Sequence, residues 1–475
     1  MPRKPRTYEI VPNQNISFPI GTIYAVENLY NVLKFSAIFG KHKKNGIDIN
    51  KLLKSLLSYK LNDNFSIKRA HEWINREEVR EIFDLKPFAE RTLYRTLETI
   101  GANKEEIISD IQDILFERYN FEQTNINMDW TSIVLHGEEA NLGKYGYSRD
   151  HRPDKKQITL GITELADPIN IPIGLTIEPG NTNDQKHFKK TYLQVKDRLK
   201  KGSLVIFDKG ANSITNTALI RADNLQYMTS KKLNKSDDRI ISRFDEYNPL
   251  TIDAENGVKG IKIQKPNSVN YLFFSKKLQK EQLESRARTI LRQMHEAKAI
   301  QESIDNGKKL PKQFRINNLL IDVEYSVQTK LIELSEDEAV KLLEASIING
   351  REGFFCLKSS KNLTLAEALL IYRKKDSIEK IFNSLKNEIE IKPLRVWTDN
   401  SIYGALIIGF IAQLFVSLMR YEIPELKHIS TKFIKKALSN LTVTVDSWER
   451  KVKSFVYSNF DAINVTILRS KWGIS

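Results

Sequence analysis

The sequence predicts an α/β protein: a mixed sheet flanked by helices, with a helical region before it and a strand-rich domain inserted into it. Three changes of hydrophobic pattern predict this order. Apolar residues recur at helical spacing up to about residue 120, follow strand patterns from 125 to 233, and return to helical spacing after 360. Between 236 and 350, short strand patterns surround one long charged helix, which is typical of an inserted domain.

The chain of 475 residues is too long for one ordinary core, so the same changes predict domain boundaries. We expect a helical N-terminal region, a first part of the sheet domain, the insertion, a second part of the sheet domain and a helical C-terminal region. In that order, the segments are 1–120, 121–235, 236–350, 351–422 and 423–475.

Two helical patterns in the N-terminal region lie between 88 and 119 and meet at Gly101-Ala102-Asn103. Such a pair could be a helix-turn-helix that contacts DNA, but two helices that simply pack together at a glycine are far commoner. The sequence therefore favours two packed helices over a DNA-reading pair.

The sheet region reads as strand, strand, strand, helix, strand, helix and strand. These patterns cover 125–135, 157–165, 171–181, 184–199, 204–207, 215–222 and 226–233. The fourth strand, LVIF, is continuously apolar and is reached through a helix, which predicts a parallel strand in a sheet covered on both faces.

Composition favours a polyanionic partner, since 74 Lys and Arg against 59 Asp and Glu give a formal net charge of +15. The single cysteine, Cys356, excludes an internal disulfide and a cysteine-based metal cage, and its apolar neighbours predict a buried strand residue. The longest apolar run, 404–419, is interrupted by Gln413 and Ser417 and is short for a membrane span. We expect a core helix there, and a soluble protein in a reducing, intracellular compartment.

Three carboxylates stand out by position. Asp129 lies in the first strand of the sheet region, Asp208 ends the continuous apolar strand, and Glu379 lies on the helix after the insertion. Ligands collect at the carboxyl ends of parallel strands, and carboxylates that converge there can bind Mg²⁺. The plainer alternative is that 59 acidic residues always include some in suggestive places, and that Asp208 and Gly210 form an ordinary turn.

Basic and aromatic residues accompany these carboxylates. On one continuous helix from 365 to 389, Tyr372, Lys375, Glu379 and Lys386 would share an arc of roughly 60°. The plainer interpretation is an amphipathic helix in which Lys375 and Glu379 pair four residues apart.

The loop YGYSRDHRPDKKQ, which starts at Tyr145, contains Arg149 and Arg152, and Lys209 follows Asp208 directly. This basic and aromatic loop could lie along phosphates, or it could be only a solvated hairpin.

Together these residues resemble the DDE transposases of prokaryotic insertion sequences, in the cut-and-paste group with a Tyr-x2-Arg-x3-Glu-x6-Lys signature. Tyr372, Lys375, Glu379 and Lys386 match that spacing, with lysine in place of arginine at the second position. The segments MDWTSI, GYSRDHRPDKKQ, LTIEPGNTND, VIFDKGANS and WTDNSIYGALIIGFIAQLF resemble the other blocks of that family.

The resemblance implies a ribonuclease H-like catalytic domain in which Asp129, Asp208 and Glu379 are the catalytic metal ligands, with two Mg²⁺ or Mn²⁺ ions as cofactors. It implies double-stranded DNA partners, namely transposon ends and target DNA, and a homodimer on paired ends. The N-terminal region would bind the ends, and the C-terminal region could serve dimerisation. The DNA contacts that we expect are Tyr372, Lys375, Lys386, Arg149, Arg152 and Lys209. The protein would act in the prokaryotic cytoplasm, at the nucleoid.

Three functions are compatible with the sequence. The first is an active transposase that binds terminal inverted repeats and catalyses strand cleavage and strand transfer. The second is a catalytically inactive, DNA-binding derivative that acts as an inhibitor. The third is a related nuclease that cuts branched or hybrid substrates without joining them. The presence of all three carboxylates favours the first over the second, and the basic N-terminal region with the large insertion favours it over the third.

Overall fold

The computed structural model describes most of the chain. The described residues are 16–62, 66–137, 140–306, 313–316, 319–322, 341, 348–392, 394–448 and 451–470. The chain divides into two compact units, with boundaries after Tyr227 and after Ile371. The first unit consists of the described residues up to 227 and from 372 onward, and the second unit consists of those from 228 to 371. The five segments expected from the sequence stay a prediction.

The N-terminal region is helical, as the spacing of its apolar residues predicts. Its helices are α1 (Gly21–Val32), α2 (Phe35–Gly40), α3 (Ile49–Asn62), α4 (Ile67–Ile74), α5 (Glu77–Ile82), α6 (Arg91–Ala102) and α7 (Lys104–Tyr119), and a short strand, β1 (Ile16–Pro19), precedes them. Only Asn103 separates α6 from α7. Helix α7 packs on the sheet, where the buried Gln112 amide donates a hydrogen bond of 2.8 Å to the carbonyl of Ile173.

The sheet of the first unit is mixed, as predicted. Its strands are β2 (Ile126–Val134), β3 (Gln157–Leu165), β4 (Ile171–Pro179) and β5 (Leu204–Phe207), in the order β4-β3-β2-β5. The pairs β4/β3 and β3/β2 are antiparallel, and β2/β5 is parallel. Helices α8 (Asp184–Leu193) and α9 (Ile214–Ala222) flank β5 along the chain. The strand reached through a helix is therefore the parallel one, and this prediction is confirmed.

Helices cover both faces of this sheet. Side chains alternate between the faces along a strand, so Asn127 and Trp130 of β2 point to opposite sides. Trp130 donates a hydrogen bond of 3.0 Å to Thr191 of α8, whereas Asn127 contacts Ser377, at 3.2 Å. The side of Asn127, which also carries Asp129, therefore faces the segment of the signature residues.

The second unit is built mainly from antiparallel strands. Its elements are β6 (Gln226–Lys231), which contains the boundary between the units, α10 (Lys235–Ile241), β7 (Leu250–Asp253), β8 (Val258–Lys265), β9 (Ser268–Ser275), α11 (Lys276–Asp305), β10 (Gln313–Ile316), β11 (Leu319–Asp322) and β12 (Phe354–Ser359). Strands run in the order β6-β12-β9-β8-β7, and β10 pairs with β11. One of the short strand patterns predicted between 236 and 350 is NLLIDVEYSV, at 318–327, and it extends beyond β11 into residues outside the described ones.

Cys356 of β12 is buried in the small core of the second unit, beside Phe244, Ile261 and Leu272. Burial raises the pKa of its thiol to about 12. The thiol is therefore neutral at physiological pH and packs as a small apolar group, as the sequence predicts.

The signature residues lie on a broken helix, which corrects the prediction of one continuous helix over 365–389. The segment forms α12 (Leu365–Lys374), α13 (Asp376–Asn383) and a π-helical turn (Ser384–Glu388). The break falls at Lys375, whose N–H donates to the Tyr372 carbonyl three residues back instead of four. Asp376 and Ser377 follow, and residues of these types favour a helix start over a helix interior.

Helix α14 (Asp399–Glu422) precedes the C-terminal region, which contains α15 (Thr431–Asn440), β13 (Thr442–Trp448), β14 (Lys451–Ser458) and α16 (Ala462–Arg469). The prediction that it is wholly helical is therefore wrong. The runs TVTVDSW and KVKSFVYS alternate and are rich in β-branched and aromatic residues, which favour strands. Strand β1 pairs with β13 and completes a three-stranded sheet.

Helix α14 is the central helix of the first unit. Its apolar window reaches a mean hydropathy of 2.1, enough for a membrane span by length and composition, but 94% of that window is buried inside the protein. Thr398 caps its start, accepting a hydrogen bond from the Ser401 N–H, and Pro424 follows its end. The prediction of a core helix is confirmed.

Two glycines allow α14 and α6 to pack backbone to backbone. A methyl group at Gly404 would overlap the carbonyl of Leu97, and one at Gly101 would overlap the carbonyl of Asn400. Each glycine thus meets the backbone of the other helix, and neither contact can be relieved by turning a side chain. The pair of helices between 88 and 119 is consequently part of the core.

We expect Gly404→Ala to lower the free energy of unfolding by about 2 kcal/mol, because overpacking a close contact typically costs about 1–3 kcal/mol. Urea denaturation followed by circular dichroism measures the loss. Gly40→Ala is the matched control, since a methyl group there meets only the side-chain amide of Asn50, at 3.3 Å. Equal stability of Gly404→Ala and the wild type would show that the helices separate without cost.

Candidate active site

Asp129 and Asp208 come together through the register of two parallel strands. In the β2/β5 ladder, Met128 is opposite Phe207, so each aspartate follows the last paired residue of its strand. Adjacent strands lie about 4.8 Å apart. The two carboxylates are close enough that Asp208 raises the pKa of Asp129. The structure thus brings together these two of the three predicted ligands.

The charge of Asp129 is only partly compensated by its surroundings. Burial raises the pKa of its carboxyl, and the Lys375 ammonium, the Trp130 N–H and the Arg149 guanidinium each lower it. The Lys375 nitrogen lies 3.7 Å from Asp129 Oδ2, and its side chain is only 6% exposed. The Trp130 N–H donates to Asp129 Oδ1 at 2.9 Å. Lys375 therefore supplies the nearest positive charge to this carboxylate.

Asp208 is held by the tyrosine of the signature. The Tyr372 hydroxyl donates a hydrogen bond of 3.0 Å to Asp208 Oδ1. Asp208 follows β5 directly, and a short 3₁₀ turn (Lys209–Ala211) begins after it. Gly210 lets this turn lie against α8, because a methyl group there would be 2.6 Å from Asp184 Oδ2. Lys209 is exposed.

The pair Asp129 and Asp208 fits a hard divalent cation. Mg²⁺ is bound in proteins through one or two carboxylates, with water and substrate phosphate as the other ligands. The two aspartates supply this donor set, and burial first and the neighbouring Asp208 second raise the pKa of Asp129. A cation between them would offset their repulsion.

Glu379 occupies a different position. It lies on α13, and its side chain is exposed. Among the residues that the structure describes, no group of three or more Asp, Glu, His or Cys side chains is close enough to hold a metal ion. The role of Glu379 as the third ligand therefore stays a prediction.

The break at Lys375 changes the predicted geometry of the signature. An arc of roughly 60° shared by Tyr372, Lys375, Glu379 and Lys386 requires one regular helix, and the structure has two helices and a π-helical turn there. Lys375 pairs with Asp129, and the ion pair four residues apart on α13 joins Asp376 to Lys380, at 2.7 Å.

The other predicted DNA-binding residues mostly hold acidic partners. Arg149 bonds Asp184, at 2.8 Å, and Arg152 bonds Asp154 through two hydrogen bonds of 2.8 Å each. The Lys386 ammonium lies 3.1 Å from Asp150 Oδ1, and burial lowers its pKa. These cations would have to exchange a carboxylate for a phosphate to contact DNA.

Glu164 is a buried acid near this site that the sequence analysis missed. It lies on β3 and pairs with Asn127 in the β2/β3 register, on the face that carries Asp129. Burial raises the pKa of its carboxyl to about 7, while Asn127, Ser377 and Lys375 lower it. The available signal was one acid in QITLGITEL, a strand that the structure buries on both faces.

Comparison with known proteins gives one family. The family model described as "Transposase DDE domain" matches residues 121–415, more than half of the chain. No curated protein matches. The chain is similar to the structure titled "Cryo-EM structure of piggyBac transposase synaptic complex with hairpin DNA (SNHP)", with 9% sequence identity and a TM-score of 0.41, over 90% of this chain and 80% of that chain. A TM-score of this size supports no conclusion about the chain.

Proposed function

This chain belongs to the transposase DDE domain family, and we propose on that premise that it cleaves DNA at the ends of an insertion sequence and joins the freed strand to target DNA. The observation that carries the proposal is the pair Asp129 and Asp208, which follow the last paired residues of the parallel ladder between β2 and β5. The type of reaction is inferred from the family, and the proposed position of the active site is inferred from this pair of aspartates.

Asp129 and Asp208 would hold the divalent ions that the family uses, Mg²⁺ or Mn²⁺, with Glu379 as the third ligand. When bound, such ions activate a water or a 3′-hydroxyl and stabilise the leaving oxygen at phosphorus. Tyr372 orients the Asp208 carboxylate through its hydrogen bond. Lys375 offsets part of the rise that burial causes in the pKa of Asp129, and its place in the signature makes it the residue that we expect to meet the scissile phosphate.

The proposed DNA partner fits the charge of the protein. The net charge of +15 favours a polyanion, and the cations Arg149, Lys386 and Lys209 lie on segments around the aspartate pair. We infer that terminal inverted repeats and target DNA bind here, with the protein as a homodimer. The sheet order β4-β3-β2-β5, with one parallel pair, supports a ribonuclease H-like catalytic domain. We further propose that the protein acts at the nucleoid, in a prokaryotic cytoplasm.

The direct test uses the DNA that flanks the gene, with both ends included, as a labelled duplex. Purified protein is incubated with it, with and without Mg²⁺ or Mn²⁺, and strand breaks are mapped at nucleotide resolution. Metal-dependent nicks at matched inverted ends are the expected result. Added target DNA should then yield joined products.

A second candidate function is that of an inactive, DNA-binding derivative that inhibits transposition. The exposed position of Glu379, apart from any three-residue acidic group among the described residues, is the observation that favours it. Tight binding to the ends without any cut, under either metal, would support this candidate against the first.

We expect Lys375→Ala to weaken binding to the ends and to flatten its salt dependence slightly, by less than about one unit of the logarithmic slope. The reason is that the lysine stands where the family has an arginine that we expect to contact the DNA backbone. Binding measured by fluorescence anisotropy over a salt series gives the slope. An unchanged slope would leave Lys375 as only the counter-ion of Asp129.

A further inference from the structure

Glu164 is buried at a cost that its surroundings only partly offset. Its side chain has 0% exposure, and its Oε1 atom has no hydrogen-bond partner. Burying a carboxylate is costly unless it is paired and hydrogen-bonded, so the position of Glu164 depends on the few polar groups that it contacts. Its contacts show what it holds.

Three side chains form a closed triangle of hydrogen bonds. Glu164 Oε2 accepts from the Asn127 amide at 3.0 Å and from the Ser377 hydroxyl at 2.8 Å. The Asn127 amide also donates to the Ser377 hydroxyl, at 3.2 Å. Strands β3 and β2 and helix α13 thus meet at one point, and all three belong to the first unit.

The triangle fixes the start of the helix that carries Glu379. Ser377 is the second residue of α13 and lies two positions before Glu379. Asn127 lies two positions before Asp129 on β2. The contact between Ser377 and Asn127 therefore connects the segment of Glu379 to the strand of Asp129. Each of the two contacting residues lies two positions before its proposed metal ligand. Lys375, which ends the break before α13, approaches both Asp129 and Glu164.

We propose that Glu164 is a positioning residue: it holds the first turn of α13 against β2 through Ser377, and so sets where Glu379 stands relative to Asp129 and Asp208. This inference rests on the proposed function, because it gives these three residues a common ligand. Glu164 is fully buried, and it accepts its side-chain hydrogen bonds from Asn127 and Ser377. Its loss should therefore act through the order of α13.

The anchor is the pair of hydrogen bonds that Glu164 accepts from Asn127 and Ser377. The substitutions are chosen to separate the loss of this anchor from the loss of the negative charge. In Glu164→Gln, the amide oxygen can accept from both Asn127 and Ser377, so the anchor is kept. Glu164→Ala removes the anchor from the strand side, and Ser377→Ala removes it from the helix side. Gln112→Ala is the matched control, since it deletes another buried side-chain hydrogen bond in the first unit, to the Ile173 carbonyl.

The first readout needs neither metal nor DNA. Backbone hydrogen exchange over 376–383 is expected to rise in Glu164→Ala and Ser377→Ala, and to stay at the wild-type rate in Glu164→Gln and Gln112→Ala. Equal exchange over 376–383 in all five proteins would overturn the inference. Ser377→Ala keeps the test decisive if Glu164→Ala fails to fold.

The second readout is Mn²⁺ binding by calorimetry. We expect both anchor-removing variants to lose about tenfold or more in affinity, as is typical when a residue that orients a ligand is lost, while Gln112→Ala loses thermal stability alone. If Glu164→Ala, Ser377→Ala and Gln112→Ala all lose stability and keep their Mn²⁺ affinity, the role of Glu164 is only structural and the inference is wrong.

Failure of the wild type to cut its ends would count against the proposed function alone, because the exchange measurement does not depend on cleavage.

Discussion

Replacing Asp208 by asparagine is expected to abolish DNA cleavage while leaving binding to DNA ends nearly intact. Asparagine has the shape of aspartate, and its Oδ1 can still accept the hydrogen bond that Tyr372 donates at 3.0 Å. The strand end and the turn after it should therefore persist. The negative charge is lost, and with it half of the carboxylate pair that would bind Mg²⁺ or Mn²⁺.

The measurement compares cleavage and end binding of Asp208→Asn with those of the wild type at equal protein concentration. A loss of at least about a thousandfold in the cleavage rate is expected, since removing a group of this kind raises the barrier by about 4 kcal/mol or more. Asp113→Asn is the control, as Asp113 is an exposed aspartate paired with Arg198 on the surface. Cleavage by Asp208→Asn at the wild-type rate would show that the metal assignment is wrong.

Local patterns in the sequence predicted the sheet of the first unit closely. The run QITLGITEL has the same bounds as β3, and the continuous run LVIF is the parallel strand β5. Period and apolar continuity are local properties, so a sequence displays them directly. The hairpin β13/β14 was missed although its two runs alternate, because its third partner, β1, lies more than 400 residues earlier in the chain.

The break at Lys375 was missed for a related reason. The apolar stripe continues across it, and Ile378, Phe382 and Leu385 are all buried, so the pattern predicts one helix. The structure departs from this prediction at Lys375, whose ammonium group pairs with Asp129 on β2. Asp129 lies far from Lys375 along the chain. Tertiary contacts override local helix preference at such points.

The site shows the same division between local and tertiary information. Asp208 could be found because a carboxylate at the end of a dry strand is unusual in itself. Glu164 and Asp150 were missed, since their roles come from partners that lie 213 and 236 residues away along the chain, Ser377 and Lys386. Only the folded arrangement shows that these acids hold the segments on which the signature residues lie.

Glu164 also gives the protein a pH-dependent stability. Burial raises the pKa of its carboxyl from an ordinary 4.5 to about 7, so the folded protein keeps a proton that the unfolded chain releases between these values. The stability linked to this proton is fully present below about pH 4.5 and is lost as the pH rises through about 7. A shift of this size corresponds to about 3 kcal/mol.

Glu164→Gln should remove this dependence, because the amide does not titrate and keeps the hydrogen bonds to Asn127 and Ser377. We expect the variant and the wild type to have similar free energies of unfolding near about pH 5, and the variant to be more stable by up to about 3 kcal/mol near about pH 8. Urea denaturation at both pH values measures the difference. Glu117→Gln, at an exposed glutamate of α7, controls for the change from acid to amide. A difference that is the same at both pH values would mean that Glu164 is already ionised in the folded protein at about pH 5, with Lys375 as its counter-ion, and that its cost of burial is offset by that lysine.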